Sequence, residues 1–193
     1  MPKNIIVSNR LPVQVENKNR VWTFSPTSGG LATGLKSVHE EGDSLWIGWP
    51  GVSDDLLDKK NKKQIHETLS KNQFRPVFLN DNELDHFYLG FSNKCLWPLF
   101  HYFIEYQKFD IDQWKYYTLV NQKFADEVLN VIEDGDIVWI HDYQLLLCPQ
   151  MIKEIKPEVT IGFFLHIPFP SFEIFRIFPK REDLLNGILG SDL

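Results

Sequence analysis

An α/β fold is what the apolar pattern of this chain predicts: a Rossmann-like, mostly parallel sheet with helices on both faces. Two observations carry that reading. Segments of strand character alternate with segments of helical spacing, and the strand segments are apolar throughout instead of alternating apolar with polar. Asn4-Ile5-Ile6-Val7-Ser8, Leu45-Trp46-Ile47-Gly48-Trp49, Asp136-Ile137-Val138-Trp139-Ile140 and Thr160-Ile161-Gly162-Phe163-Phe164-Leu165 are the runs in question. A strand buried on both faces has no reason to carry a polar side.

The run at 4–8 opens the chain as a buried strand and passes into polar Asn9-Arg10. Residues 13–15 and 21–24 flank the polar stretch Glu16-Asn17-Lys18-Asn19-Arg20, the pattern of a hairpin. Ser28-Gly29-Gly30 then leads into Leu31, Leu35 and Val38, whose three- and four-residue spacing makes one helical face. The core strand at 45–49 is halted by Pro50-Gly51. Residues 54–70 read as a polar amphipathic helix with an Asp pair suited to its first turn. Pro76-Val77-Phe78-Leu79 is a short strand, and 83–101 is a largely helical stretch dense in aromatics. A long helix over 112–132 carries Trp114, Tyr117, Val120, Phe124, Val128 and Val131 on one stripe. The strand at 136–140, a helix over 145–156, the strand at 160–165 and a helix over 181–189 complete the pattern. Gly190-Ser191-Asp192-Leu193 reads as the start of another strand. The chain is therefore expected to be one domain, 1–193, cut short inside a larger protein and free of repeats or linkers.

The residues are 43% hydrophobic and 24% charged, enough to bury a sizeable core. Aromatics reach 14%, a surplus that suits a core and also a pocket that stacks on ring faces. A formal net charge of -6 gives no electrostatic support for a nucleic-acid or anionic-membrane partner. The basic cluster Lys59-Lys60-Asn61-Lys62-Lys63 sits among polar residues as a solvated helix face. Cys95 and Cys148 lie in apolar contexts without metal-ligand spacing, which fits buried thiols in a reducing, cytoplasmic setting. The first strand leaves no room for a secretory signal, and no apolar run reaches membrane-spanning length.

In open α/β sheets, ligands bind beyond the carboxyl ends of the strands. Those ends carry Ser8-Asn9-Arg10, then His141-Asp142-Tyr143, then His166 followed by Ile167-Pro168-Phe169-Pro170. Any one of these is an ordinary polar turn; a guanidinium, a His-Asp pair and a second imidazole on one rim point to a site. Gly29-Gly30 ahead of a helix offers bare backbone N–H groups suited to an anion, and the neighbouring Arg10 is a bidentate phosphate donor. No Walker motif and no G-x-G-x-x-G fingerprint occurs, which counts against a dinucleotide-linked oxidoreductase. Among the crowded aromatics of 87–103, Tyr88 and Trp97 are the candidates for a pocket wall, because a polar tip accompanies each ring.

Six motifs occur in order: Ser8-Asn9-Arg10-Leu11-Pro12, Ser28-Gly29-Gly30-Leu31, Trp46-Ile47-Gly48-Trp49, Leu96-Trp97-Pro98-Leu99-Phe100-His101, Trp139-Ile140-His141-Asp142-Tyr143-Gln144-Leu145, and Gly162-Phe163-Phe164-Leu165-His166-Ile167-Pro168-Phe169-Pro170. Together they resemble the N-terminal half of the trehalose-6-phosphate synthase family, from about Ile5 to the last residue. The resemblance implies a GT-B glycosyltransferase, two Rossmann-like domains facing across a cleft, with no metal and no cofactor. It implies transfer of glucose from UDP-glucose to glucose 6-phosphate with retention at the anomeric carbon. By motif, Arg10 would bind the acceptor phosphate with help from Tyr88, Trp49 and Trp97 would line the acceptor pocket, and Asp142 would hydrogen-bond the acceptor sugar. His166 would contact the donor glucose, the Gly29 and Gly30 amides would lie by its diphosphate, and Asp142 and His166 would carry the catalysis. The domain that grips the nucleotide sugar in the family has no counterpart here, so the chain alone is expected to be inactive. Two other readings stay open: a non-catalytic synthase-like protein that binds sugar phosphates for regulation, and a GT-B enzyme with another nucleotide-sugar donor. A homo-oligomer is possible.

Overall fold

A computed structural model of the chain describes residues 2–19, 21–27, 29–41 and 43–193. Its main sheet has five parallel strands: β1 (Asn4–Arg10), β4 (Ser44–Trp49), β5 (Phe74–Pro76), β6 (Ile137–His141) and β7 (Thr160–Phe164). Their order across the sheet is β5-β4-β1-β6-β7. The first three strands of the sheet run outward in one direction and the last two in the other. The order reverses between β1 and β6, which makes the crevice beyond their carboxyl ends the topological switch point. The expected parallel, doubly covered sheet is present.

Its two faces are covered unequally. Along β1, Ile5 and Val7 point to one side and Ile6 to the other, so each strand feeds both cores. The larger core takes up the wide π-helical segment Leu84–Leu96, α5 (Trp97–Phe100), α6 (Ile111–Val131), α7 (Cys148–Ile155), α8 (Phe172–Phe175) and α9 (Arg181–Leu189), with α4 (Asp81–Glu83) as the single turn that starts the wide helix. Phe87, Phe91, Tyr117 and Phe124 are fully buried there, each stabilising by about 1.5–3 kcal/mol relative to exposure. The smaller core holds Ile6, Leu11, Val15, Trp46, Ile65 and Leu69. It lies under the hairpin β2 (Val13–Lys18) and β3 (Val21–Pro26), the short helices α1 (Gly30–Gly34) and α2 (Lys36–Glu41), and α3 (Lys59–Ser70).

Several boundaries differ from the sequence expectation, each for a local reason. The hairpin ladder runs to Lys18 paired with Val21, so most of the polar stretch is strand; Asn19 turns at φ 53°, and Arg20 lies outside the described residues. The helix expected over 54–70 is split. Ser53 caps a 3-10 turn at Asp54–Leu56, and Asp58 caps α3 by accepting from the Asn61 N–H at 2.7 Å. Lys62 leaves the solvated face to pair with Asp54 and lie over the Phe78 ring at 6.0 Å. The strand expected at 76–79 sits two residues earlier, because pairing with β4 begins where the Trp46 N–H donates to the Gln73 carbonyl at 2.9 Å. Beyond α9, the Asp192 N–H donates to Ile161 O at 2.7 Å and Phe163 N–H to Leu193 O at 2.8 Å, so the last residues do pair with the edge of β7.

Candidate active site

At the switch point, β1 does not run straight. Its register against β4 shifts between Val7 and Arg10. The buried Ser8 hydroxyl accepts from the Trp46 indole N–H and donates to the Arg10 carbonyl, both at 2.8 Å. Leu11 N–H then returns to the Trp49 carbonyl at 2.9 Å. Such a bulge re-aims the side chain beside it, and it needs Gly48 below: a Cβ there would meet Leu11 N at 2.8 Å and Arg10 C at 2.9 Å. The result is an exposed Arg10 whose guanidinium lies 5.1 Å over the Trp49 ring. Trp49 spends its own N–H on the Val52 carbonyl at 3.0 Å, so the ring face is what it offers the site. Arg10 also donates to the side-chain oxygen of Gln14, whose amide nitrogen donates to Gly51 O at 2.8 Å.

The end of β6 is built with more constraint. Asp142 sits at φ 74°, ψ 168°, a region that is costly for any residue with a Cβ, at about 1–3 kcal/mol. It is held there from several sides. Its N–H donates to Phe164 O at 2.8 Å, and its carboxylate accepts the backbone N–H of Tyr143 at 3.0 Å and of His166 at 3.2 Å. From α6, the buried Tyr117 hydroxyl donates to Tyr143 O at 2.7 Å and accepts from Leu146 N–H at 3.2 Å. Asn121, also buried, donates to Gln144 O at 3.0 Å and accepts from Leu147 N–H at 3.2 Å. Burial raises the Asp142 carboxyl above its ordinary value, against the two N–H bonds, which lower it.

His141 and His166 meet side by side, with His141 Nδ1 3.1 Å from His166 Nε2. His141 is buried; His166 is exposed and flanked by Phe164, ring centroids 4.7 Å apart. Burial drives the His141 imidazole down to about 4, with His166 adding to the shift.

Two adjoining clefts open on these residues. The first, of about 230 Å³, is bordered by Asn9, Arg10, Gly29, His141, Asp142 and Gln144. The second, of about 260 Å³, is bordered by Gly30, Leu31, Trp139, His141, Phe164 and His166. The structure thus brings Arg10, Gly29 and Asp142 together with Trp49 behind the guanidinium, and sets Gly30 and His166 next door. Tyr88 lies half-buried on the wide helix, where with Asp142 it adds to the burial that pushes the Tyr143 phenol up. Trp97 borders neither cleft. It stacks on His101 at 4.1 Å and on Phe103 at 6.0 Å on a separate aromatic shelf. Ser28 lies outside the described residues. Among the described residues no group of three or more His, Cys, Asp or Glu is placed to hold a metal ion, and no helix is long and apolar enough to cross a membrane.

The sequence placed His141 on the rim beside Asp142 without a function of its own, and it gave no role to Gln14, Tyr117 or Asn121. A signal existed for one of them: Asn121 interrupts an apolar helical stripe four residues after Tyr117, and a polar residue in such a stripe needs partners. Gln14 carried no signal, because its partner Gly51 is 37 residues away.

A parallel sheet of this order with a polar cleft at its switch point is the half-fold of a GT-B glycosyltransferase. The chain belongs to glycosyltransferase family 20, whose model matches residues 2–193. It is 44% identical to the 56 kDa subunit of the UDP-forming alpha,alpha-trehalose-phosphate synthase of Kluyveromyces lactis, over 98% of this chain and 40% of that protein. Three solved structures match its fold. The E. coli trehalose-6-phosphate protein bound with UDP-2-fluoro glucose is 33% identical, with a TM-score of 0.78 over 98% of this chain and 38% of that one. The Burkholderia xenovorans synthase in complex with glucose-6-phosphate is 28% identical, with a TM-score of 0.77 over the same shares. The N-terminal domain of the Candida albicans trehalose-6-phosphate phosphatase is 32% identical, with a TM-score of 0.81 over 100% and 39%. The chain thus spans about 40% of the length of the relative it matches.

Proposed function

We propose that this chain is the acceptor-side part of a retaining glucosyltransferase that transfers glucose from UDP-glucose to glucose 6-phosphate, giving alpha,alpha-trehalose 6-phosphate. The observation that carries the reading is the first cleft: Arg10, Gly29 and Asp142, from three separate segments, border one opening at the switch point. Arg10, backed by Trp49, would take the acceptor phosphate by charge-assisted bonds; Tyr88 and Trp97 are further acceptor contacts by the family resemblance alone, since neither borders the clefts of this chain. Asp142 would accept from an acceptor hydroxyl and orient it. His166 and the Gly30 amide, in the second cleft, would face the donor glucose and its diphosphate, with Gly29 at the boundary.

The resemblance to the trehalose-6-phosphate synthase family points to front-face attack, and the carboxylates of this half are compatible with it. Double displacement needs two carboxylates about 5 Å apart, and Asp142 is the one carboxylate among the described residues bordering either cleft. Front-face attack, in which the leaving diphosphate takes the proton of the attacking hydroxyl, needs no second one. The protein then works by positioning the acceptor, excluding water and stabilising charge on phosphate oxygens. The partners are the two small molecules, in the cytoplasmic setting that the buried free thiols of Cys95 and Cys148 support.

The N-terminal domain of the Candida albicans trehalose-6-phosphate phosphatase shares this fold, and a fold alone does not decide between the enzyme and a non-catalytic synthase-like sugar-phosphate-binding protein. Arg10, Tyr88, Trp97, Asp142 and His166, all present at their motif positions, favour the enzyme. The test has two parts. Calorimetric titration of the chain should show weak binding of glucose 6-phosphate, little of UDP-glucose, and no turnover. A fusion of the chain to the remaining C-terminal part of the Kluyveromyces lactis relative should form trehalose 6-phosphate. A fusion that binds both substrates without transfer would establish the module instead.

A further inference from the structure

The contact between His141 and His166 constrains where both rings carry their protons. With both neutral, one proton lies between His141 Nδ1 and His166 Nε2, 3.1 Å apart. The remaining nitrogen of His141, Nε2, is buried and has no hydrogen-bond partner among the described residues. Its surroundings offer no remedy. The ring has Trp139 at 4.5 Å and Phe164 at 6.5 Å between ring centroids, and Asp142 Oδ1 already accepts the N–H groups of Tyr143 and His166, with no bond from Asp142 to His141 Nε2.

Two arrangements satisfy the shared bond. If the proton belongs to His166 Nε2, His141 must carry its own on Nε2, burying an N–H donor with nothing to accept it; such an orphan costs about 1–3 kcal/mol. If it belongs to His141 Nδ1, only a lone pair is left at the buried Nε2. Orphaned N–H groups are the rarer kind in folded proteins, and the second arrangement avoids one. His166 is then left with its proton on Nδ1, at the ring edge away from His141, on a residue that borders the second cleft.

We infer that His141 is a positioning residue: it donates from Nδ1 to His166 Nε2 and so sets His166 as the Nδ1–H tautomer, which presents a hydrogen-bond donor to an oxygen of the sugar-nucleotide donor. Burial supports this by keeping His141 neutral to well below the ordinary imidazole range. The ligand half of the inference rests on the donor reading above; the tautomer half does not. Free imidazole side chains favour Nε2–H, so the assignment runs against the default for both rings, and that makes it easy to refute.

The experiment is long-range proton–nitrogen correlation NMR on the chain with nitrogen-15-labelled histidine, at about pH 8, above the ordinary imidazole range. The expected result is the Nδ1–H tautomer for both His141 and His166, with His166 reverting toward Nε2–H in His141→Phe. An Nε2–H signal from either ring in the unaltered chain overturns the inference, and so does an unchanged His166 in a folded His141→Phe. The unaltered chain decides the matter even where that variant fails to fold. If His166 shows the Nδ1–H tautomer while His166→Ala in the fusion leaves transfer unchanged, the tautomer assignment stands and the donor reading falls.

Discussion

The two ends of the β1–β6 pair are made of similar residue types and behave in opposite ways. At the amino end, the buried carboxylate and the backbone groups around it are paired conventionally. The buried Asp136 carboxylate accepts the N–H of Lys3 at 2.8 Å and of Glu133 at 3.0 Å, and Ile137 N–H donates to Lys3 O at 3.0 Å. At the carboxyl end, β1 bulges, Asp142 sits at positive φ, and His141 buries an unpartnered nitrogen. One end is relaxed, with a small cleft of about 110 Å³ beside Asp136; the other is constrained and open to two larger clefts. The difference teaches where stability and ligand chemistry are lodged in this domain: strain persists only where surrounding structure over-determines it, and such places cluster at functional sites.

Acid should break the comparison most severely. His141 is held near 4 in the fold and titrates near the ordinary 6.5 when unfolded. Between those values the unfolded chain binds the extra proton, so this contribution to stability is whole above about pH 6.5 and is lost as pH falls toward 4. The loss is at most about 3 kcal/mol, and urea unfolding at stepped pH should show it in the unaltered chain and flatten it in a folded His141→Phe. Asp136→Ala at the relaxed end should come next. Two backbone donors lose their acceptor, which costs about 2–3 kcal/mol in urea unfolding, while the affinity for glucose 6-phosphate stays as it was. Arg10→Ala should do the reverse: calorimetry should show glucose 6-phosphate binding weakened about 10- to 100-fold, the loss of a charge-assisted contact, with stability changed by less than about 0.5 kcal/mol. The smallest effect sharpens the contrast. Asp142→Gly releases positive-φ strain of about 1–3 kcal/mol but strips the Tyr143 and His166 N–H groups of their acceptor, at a similar cost, so thermal unfolding should show a net change below about 1 kcal/mol, accompanied by weaker acceptor binding.

How much of this was legible depended on the range of the interaction. The strands at 45–49, 136–140 and 160–165 and the helix over 181–189 were readable because burial on both faces, or on one stripe, is written into consecutive residues. Arg10, Asp142 and His166 could be placed on one rim because strand ends follow from strands. Boundaries failed where a single side chain decides them, as Asp58 does for α3. The site's supports were illegible for the same reason that they are effective. Tyr117 and Asn121 act on residues 143–147 across 23 to 29 positions of chain, and nothing local marks such a contact.

The central claim is that one cleft at the carboxyl ends of β1 and β6 seats a phosphorylated hexose. The direct measurement is a backbone amide shift map of the chain titrated with glucose 6-phosphate, with plain glucose as the control. The account expects the shifts to centre on Asn9, Arg10, Gly29, Asp142 and Gln144, to be far weaker with glucose, and to leave Gly135 and Asp136 at the opposite end unmoved. Shifts centred on any other surface, or equal responses to the two sugars, would contradict it.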